Sequence, residues 1–331
     1  SKVFDLWNEV GGAFGPSGRE DAVREAIAAI AGEYIDDITT DALGNLICRK
    51  KGSGKKVLFA AHMDSIGVVA TYIDEKGFIR FSQVGGLFKG DLINIVVRFA
   101  NGTRGVISYE EKTPFKDLTL DNLFIDIGAK DRADAEKQVQ VGDFAVFEAP
   151  RFEQNGVLCG PYLDNRIGCV TLLRAMEQIG ETDNDLYFVF TAQEEVGLRG
   201  AGAAAFAVEP DVAIAVDVTD TGDLPERKTP MAVDMGKGPA IKVMDRSVIC
   251  TPAVCAALEQ AAHDCGIATQ REILQCGGTD TAALQKARAG VQAGAVSIPT
   301  RYIHSPSEMC AVDDVENAAK LLARFAASFG A

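Results

Sequence analysis

Four short, almost wholly apolar runs punctuate the chain: VLFAA (57–61), DLYFVF (185–190), VAIAV (212–216) and GAVSI (294–298). Each has the length of one strand and offers no polar face, the pattern of a strand covered on both sides. Between and after them the apolar positions recur at helical spacing, in NRIGCVTLLRAMEQI after residue 164, TPAVCAALEQAAHDC after 250, TDTAALQKARA after 278 and VENAAKLLARFAASF near the end. Strands alternating with helices predict an α/β domain, a mostly parallel sheet flanked by helices. Ahead of the first run, Ser17 stands three residues before Glu20 and the segment AVREAIAAI, which reads as a capping box opening an amphipathic helix.

Residues 66–155 follow a different rhythm. GVVATYID, FIRFSQVG, INIVVRFA and RGVISYE have strand character, with turn signals at Lys76-Gly77 and Asn101-Gly102, and LFIDIG and DFAVFE continue the series. Only 131–138 has a short helical pattern. The expectation is a small all-β, barrel-like domain inserted between two parts of the α/β domain, residues 1–65 and 156–331, leaving and rejoining it close to Asp64 and Asp164. No internal repeat or low-complexity segment interrupts this plan.

A length of 331 residues exceeds what one small core needs and fits two domains. Hydrophobic residues at 47% against 24% charged place the chain among proteins that fold fully. A formal net charge of -14 argues against a nucleic-acid partner, because Lys and Arg must neutralise phosphates for such binding. No apolar run reaches the roughly 18 residues of a membrane span, and SKVFDLWNEV lacks the basic and apolar regions of a signal peptide, so neither export nor membrane insertion is expected. The eight cysteines include no CxxC pair and read as free thiols in a reducing cytoplasm.

GxSxG, P-loop, GxGxxG and HExxH signatures are all absent, which removes support for serine hydrolase and nucleotide chemistry. Instead, metal-ligand residue types follow nearly every apolar run. VLFAA leads to His62-Met63-Asp64, DLYFVFTAQ to Glu194-Glu195, VAIAV to Asp217 and GAVSI to His304, while GPYLDNR puts Asp164 just before a helix. Loops at the carboxyl ends of strands are where open α/β sheets present ligands. A glutamate pair directly after so apolar a run needs a partner for its charge, and a carboxylate cluster needs cations. Imidazoles with carboxylates suit Zn²⁺, Co²⁺ or Mn²⁺ better than Ca²⁺ or Mg²⁺. His263, inside the helical pattern EQAAHDCG, receives no role.

The motifs AAHMDSIG, GPYLDNRIG, AQEEVGLRGA, AVDV, GGTDTAAL and SIPTRYIHSP, in that order over nearly the whole chain, resemble the M42 family of cocatalytic metallo-aminopeptidases, whose catalytic domain is zinc-peptidase-like. The resemblance implies two divalent ions, Zn²⁺ or Co²⁺ with Mn²⁺ as a further candidate. Asp164 would bridge them, with His62 and Asp217 completing one position and Glu195 and His304 the other. Glu194 would be the general base, and the Asp64 carboxylate would orient and polarise the His62 imidazole. The substrates implied are peptides with a free amino terminus, shortened one residue at a time in the cytoplasm. Deacylases of N-acyl amino acids share the ligand set, and some relatives carry an endoglucanase label, although adjacent glutamates cannot readily flank one sugar bond. In relatives the inserted domain pairs subunits into dimers, and six dimers close a tetrahedral shell, so a homododecamer is expected. On its own residues the insertion, which supplies none of these ligands, could equally be a substrate lid.

Overall fold

A computed structural model describes residues 1–331. Helices α1 (Lys2–Gly12) and α2 (Asp21–Ala31) precede strands β1 (Asp37–Thr40), β2 (Leu46–Lys50) and β3 (Lys56–His62). Six strands follow in a closed barrel: β4 (Gly67–Ile73), β5 (Ile79–Val84), β6 (Val96–Phe99), β7 (Arg104–Tyr109), β8 (Leu123–Asp126) and β9 (Phe144–Phe147), with α3 (Arg132–Glu136) before the last. The chain then supplies β10 (Phe152–Gln154), β11 (Val157–Gly160), α4 (Leu163–Gln178), β12 (Asp185–Thr191), α5 (Arg199–Val208) and β13 (Val212–Thr219). It closes with β14 (Ala240–Met244), α6 (Pro252–Asp264), β15 (Gln270–Ile273), α7 (Asp280–Gln285), β16 (Gln292–Arg301), β17 (Glu308–Ala311) and α8 (Val312–Ser328).

Eleven strands form the large sheet, in the order β1-β2-β12-β3-β13-β16-β17-β11-β10, with β14 paired to β16 and to β15. Its centre, β12-β3-β13-β16, is parallel, as the apolar runs predict; the pairings at β2, β17, β11 and β10 are antiparallel, so the sheet as a whole is mixed. Every residue of β12 and β13 is buried, because helices cover both faces. Residues of α1, α2, α4, α6 and α8 join 44 buried residues on one face, including the stacked pair Phe59 and Phe188. Alanines of α5 pack on the other face. Eighteen further residues form a separate core inside the barrel, which makes it a structural unit of its own.

Four local expectations change. The capping box at Ser17 does not form: α2 begins at Asp21, and Ser17 Oγ instead donates to the buried Asp64 carboxylate at 2.6 Å. An additional helix, α1, lies ahead of it, capped by Ser1. The helix in TDTAALQKARA stops at Gln285, before the positive φ of Arg288. Residues 152–154, assigned to the inserted domain, pair with β11 in the large sheet, because the Asn155-Gly156 turn makes a hairpin there.

Candidate active site

The parallel register ends β3 and β12 together, pairing His62 with Thr191, so the residues that follow both strands meet above one end of the sheet. His62 is 1% exposed, and its Nδ1 lies 3.0 Å from the backbone oxygen of Asp64. A carbonyl only accepts, so Nδ1 carries a hydrogen and Nε2 is the nitrogen left to face a ligand. That Nε2 faces Asp164 Oδ1 at 3.2 Å, Glu194 Oε2 at 3.5 Å and Asp217 Oδ1 at 3.7 Å. His304, on the loop after β16, is arranged likewise: Nδ1 donates to Gly86 O at 2.8 Å, and Nε2 lies 3.0 Å from Asp164 Oδ2 and 3.3 Å from Glu195 Oε2. Each oxygen of Asp164 therefore faces one imidazole.

Neighbouring side chains hold these positions. Asp164 N–H donates to Glu308 Oε2 at 2.9 Å, and His304 N–H to Glu308 Oε1 at 2.8 Å, so one buried carboxylate ties both segments together. Asn165 Nδ2 reaches Val216 O at 2.7 Å, joining the start of α4 to β13 beside Asp217. Asp64 touches both His62 and the glutamate loop. Its carboxylate oxygen is 3.5 Å from His62 Nδ1, and its hydrogen bonds come from Ser17 Oγ and from the backbone N–H groups of Glu194 and Glu195, at 2.9 and 3.1 Å. It thereby fixes the loop that carries the glutamate pair.

The electrostatics are those of a crowded acidic pocket. Burial would lower the His62 pKa, but the charges of Glu194, Asp217 and Asp164 overcome it and raise it well above normal. His304 rises to about 12 against its burial, driven by Glu195 and Asp164. Burial and neighbouring carboxylates push Glu194 well above its usual range and Glu195 up to about 7. Asp217 moves up for the same reasons, while the two imidazoles hold Asp164 down despite its burial. Excess negative charge of this kind is what bound cations neutralise.

The donors fit divalent ions. Asp164 Oδ1 and Glu195 Oε1 are buried without a hydrogen-bond partner, a costly state for a carboxylate oxygen unless it ligates. Ligand atoms of His62, Asp164 and Glu195, and again of His62, Glu194 and Asp217, lie within 4.8 Å of one another. All seven residues singled out in the sequence are thus brought to one place. Sequence reasoning missed three contributors. Glu308 follows SIPTRYIHSP without any pattern to mark it. Asp280 lies within GGTDTAAL; it is 2% exposed, accepts from Thr191 Oγ1 at 2.5 Å and leaves Oδ1 unpartnered. Gly86 acts through its carbonyl, which no residue-type rule detects.

The site opens into a cavity of about 890 Å³, walled by Phe88 and Asp91 from the barrel and by Leu198, Leu224, Arg227, Leu274 and Tyr302 from the large domain. No helix is long and apolar enough to cross a membrane. The family profile described as M42 glutamyl aminopeptidase matches residues 44–321. A putative aminopeptidase of Acetivibrio thermocellus is 51% identical over 321 residues, 97% of each chain. An aminopeptidase from the archaeon Desulfurococcus kamchatkensis superposes with a TM-score of 0.95 at 36% identity, over 99% of this chain and 95% of that one. The TET1 peptidase of Pyrococcus horikoshii, which can assemble into a tetrahedron or a large octahedral shell, matches with a TM-score of 0.90 at 32% identity, over 99% of this chain and 100% of that one. Metal-compatible donors at the ends of parallel strands, an inserted barrel and end-to-end similarity converge: the chain belongs to the M42 family and is an aminopeptidase, a metal-dependent hydrolase.

Proposed function

We propose that the protein removes single residues from the free amino terminus of peptides with two divalent ions per chain, Zn²⁺, Co²⁺ or Mn²⁺. Asp164, His62 and Asp217 would hold one ion, and Asp164, Glu195 and His304 would hold the other. The observation that carries this reading is the placement of Asp164, whose two oxygens face two imidazole Nε2 atoms at 3.2 and 3.0 Å. Bound there, the ions supply Lewis-acid polarisation of the scissile carbonyl and acidify water. Glu194 takes the proton of the attacking water and passes it to the leaving amine. Its placement supports this role: it is 7% exposed, lines the cavity, and has its backbone pinned by Asp64. The orphan oxygens of Asp164 and Glu195 support the ligand set.

Dialysis against a chelator should abolish activity, and an ion of this class, Zn²⁺, Co²⁺ or Mn²⁺, should restore it. Elemental analysis of the active protein should give about two ions per chain, and fewer than about one would refute the two-ion reading. Peptides with free amino termini should shorten stepwise while N-acetylated peptides and cellulose oligomers survive. Internal fragments, or amino acids released from N-acyl donors, would point instead to an endopeptidase or a deacylase. A cytoplasmic site of action is supported by the eight cysteines, all free thiols.

A further inference from the structure

The two imidazoles of the site are held by different parts of the chain. His62 ends a buried strand, and the oxygen that accepts its Nδ1 hydrogen lies two residues away in the same segment. The His304 side chain is 21% exposed, and its Nδ1 hydrogen goes to an oxygen 218 residues away. That oxygen belongs to Gly86, on the connector that leaves barrel strand β5. The connector is wedged in place. Gly85 has φ +77°, and a Cβ there would lie 2.8 Å from Ile66 Cγ2 and 3.2 Å from Glu195 Cβ. A Cβ on Gly86 would lie 3.4 Å from His304 Nδ1 itself.

We propose that the Gly85-Gly86 turn of the inserted barrel is a positioning element for the reaction: it fixes the tautomer and ring angle of His304 and so governs ion affinity at the Glu195–His304 position alone. This rests on the two-position reading above. A histidine on a loop can rotate about both side-chain torsions, and the Gly86 carbonyl is the only hydrogen-bond partner its Nδ1 has. With that hydrogen bond intact, Nε2 points at the space between Asp164 and Glu195. Loss of such an outer partner typically weakens metal binding about 10- to 100-fold. The His62 ring is held by its own segment and by Asp64. The barrel is therefore part of the catalytic apparatus even though no barrel side chain is among the proposed ligands.

The test is a titration of ion-freed protein with Co²⁺, followed by calorimetry and visible absorbance, on wild type and Gly85→Ala. The substitution forces a methyl group against Ile66 and Glu195 and displaces the turn. Two binding steps are expected, one weakened about 10- to 100-fold and the other unchanged. Gly102→Ala and Gly128→Ala serve as controls, since both barrel glycines have positive φ, +90° and +73°, with nothing within 4 Å of an added Cβ. They carry the same backbone strain far from His304 and should keep both affinities. Gly86→Val, at a position without positive φ, extends two methyl groups from a Cβ already 3.4 Å from His304 Nδ1 and should reproduce the selective loss if Gly85→Ala does not fold. Equal weakening of both steps, unchanged binding in the Gly85 and Gly86 variants, or the same loss in the controls would overturn the proposal. A single binding step in the wild type would instead overturn the two-position reading itself.

Discussion

At the scale of single residues, the adjacent glutamates divide two tasks. Glu194→Gln keeps the shape of the side chain and cannot accept a proton, so turnover should fall about 10²- to 10⁴-fold with metal content unchanged. Glu195→Gln should instead lower metal content, since Glu195 Oε2 faces His304 and its other oxygen has no protein partner. Metal retained equally in both variants, with only Glu195→Gln inactive, would reverse the assignment. The same carboxylates predict a pH dependence. Without ions, burial and repulsion raise Glu195 from the ordinary 4.5 to about 7 and hold Asp280 near 7. A carboxyl raised in this way binds its proton more tightly folded than unfolded, so the stability of ion-free protein should decline as pH rises from about 4.5 to 7. Ions must displace those protons, so metal affinity should fall as pH drops below about 7. Melting curves of chelated and Co²⁺-loaded protein across pH 5–8 test both signs, and parallel curves would refute them.

At the scale of elements, the segment between His62 and Asp64 is held by one fully buried guanidinium. Arg166, on α4, donates to the backbone oxygens of Met63 at 2.5 Å, Val10 at 2.9 Å, Gly15 at 3.1 Å and Ala13 at 3.2 Å. It thereby joins α1, the turn before α2 and the end of β3 to α4. Burial lowers its pKa, and no carboxylate bonds it, so its worth lies in the donors of its planar fork. Arg166→Met fills similar space and leaves those carbonyls without this donor. Each buried polar group deprived of its partner costs about 1–3 kcal/mol, so a loss of at least about 2 kcal/mol is expected in urea unfolding. Arg166→Lys, with a single point charge, should recover only part of it. A midpoint unchanged from wild type in both variants would show that the clamp has no energetic role.

At the scale of the whole molecule, the inserted barrel has its own core and still exposes large apolar side chains. Tyr72, Val96, Val106, Phe115 and Val141 are 38–63% exposed. Val96 and Val106 are directly paired on neighbouring strands β6 and β7, an exposed apolar pair that an interface between copies of the chain would cover, and closed symmetric assemblies are the common outcome. The assembly predicted for this chain is a dodecamer built from barrel-paired dimers. Multi-angle light scattering over a range of protein and ion concentrations should show a dodecamer in equilibrium with dimers, and ion removal should favour the dimer. Charged substitutions at Val96 and Val106 should shift the population toward smaller species. A monomer under every condition would refute the assembly and leave the barrel as a lid over the cavity.

The sequence by itself determined the elements and the chemical types at the site. The strands of the parallel centre are legible because both their faces are covered, which leaves apolar runs with no alternation. The ligand-type residues are legible because each follows one of those strands, or opens a helix, within a few positions. Tertiary structure alone decided how the polar groups are partnered. Ser17 and Glu20 resemble a helix cap locally, yet Ser17 bonds Asp64, and Glu20 accepts from the backbone N–H of Gln193 at 3.1 Å. Asp64 reads as the carboxylate behind His62, and it also accepts from the backbone N–H groups of Glu194 and Glu195, 130 and 131 residues away. Glu308 and Gly86 carry no signal of their own because their roles exist only where distant segments meet. Local pattern records burial, whereas a long-range hydrogen bond depends on how loops stack above the sheet, and packing of the entire chain sets that geometry.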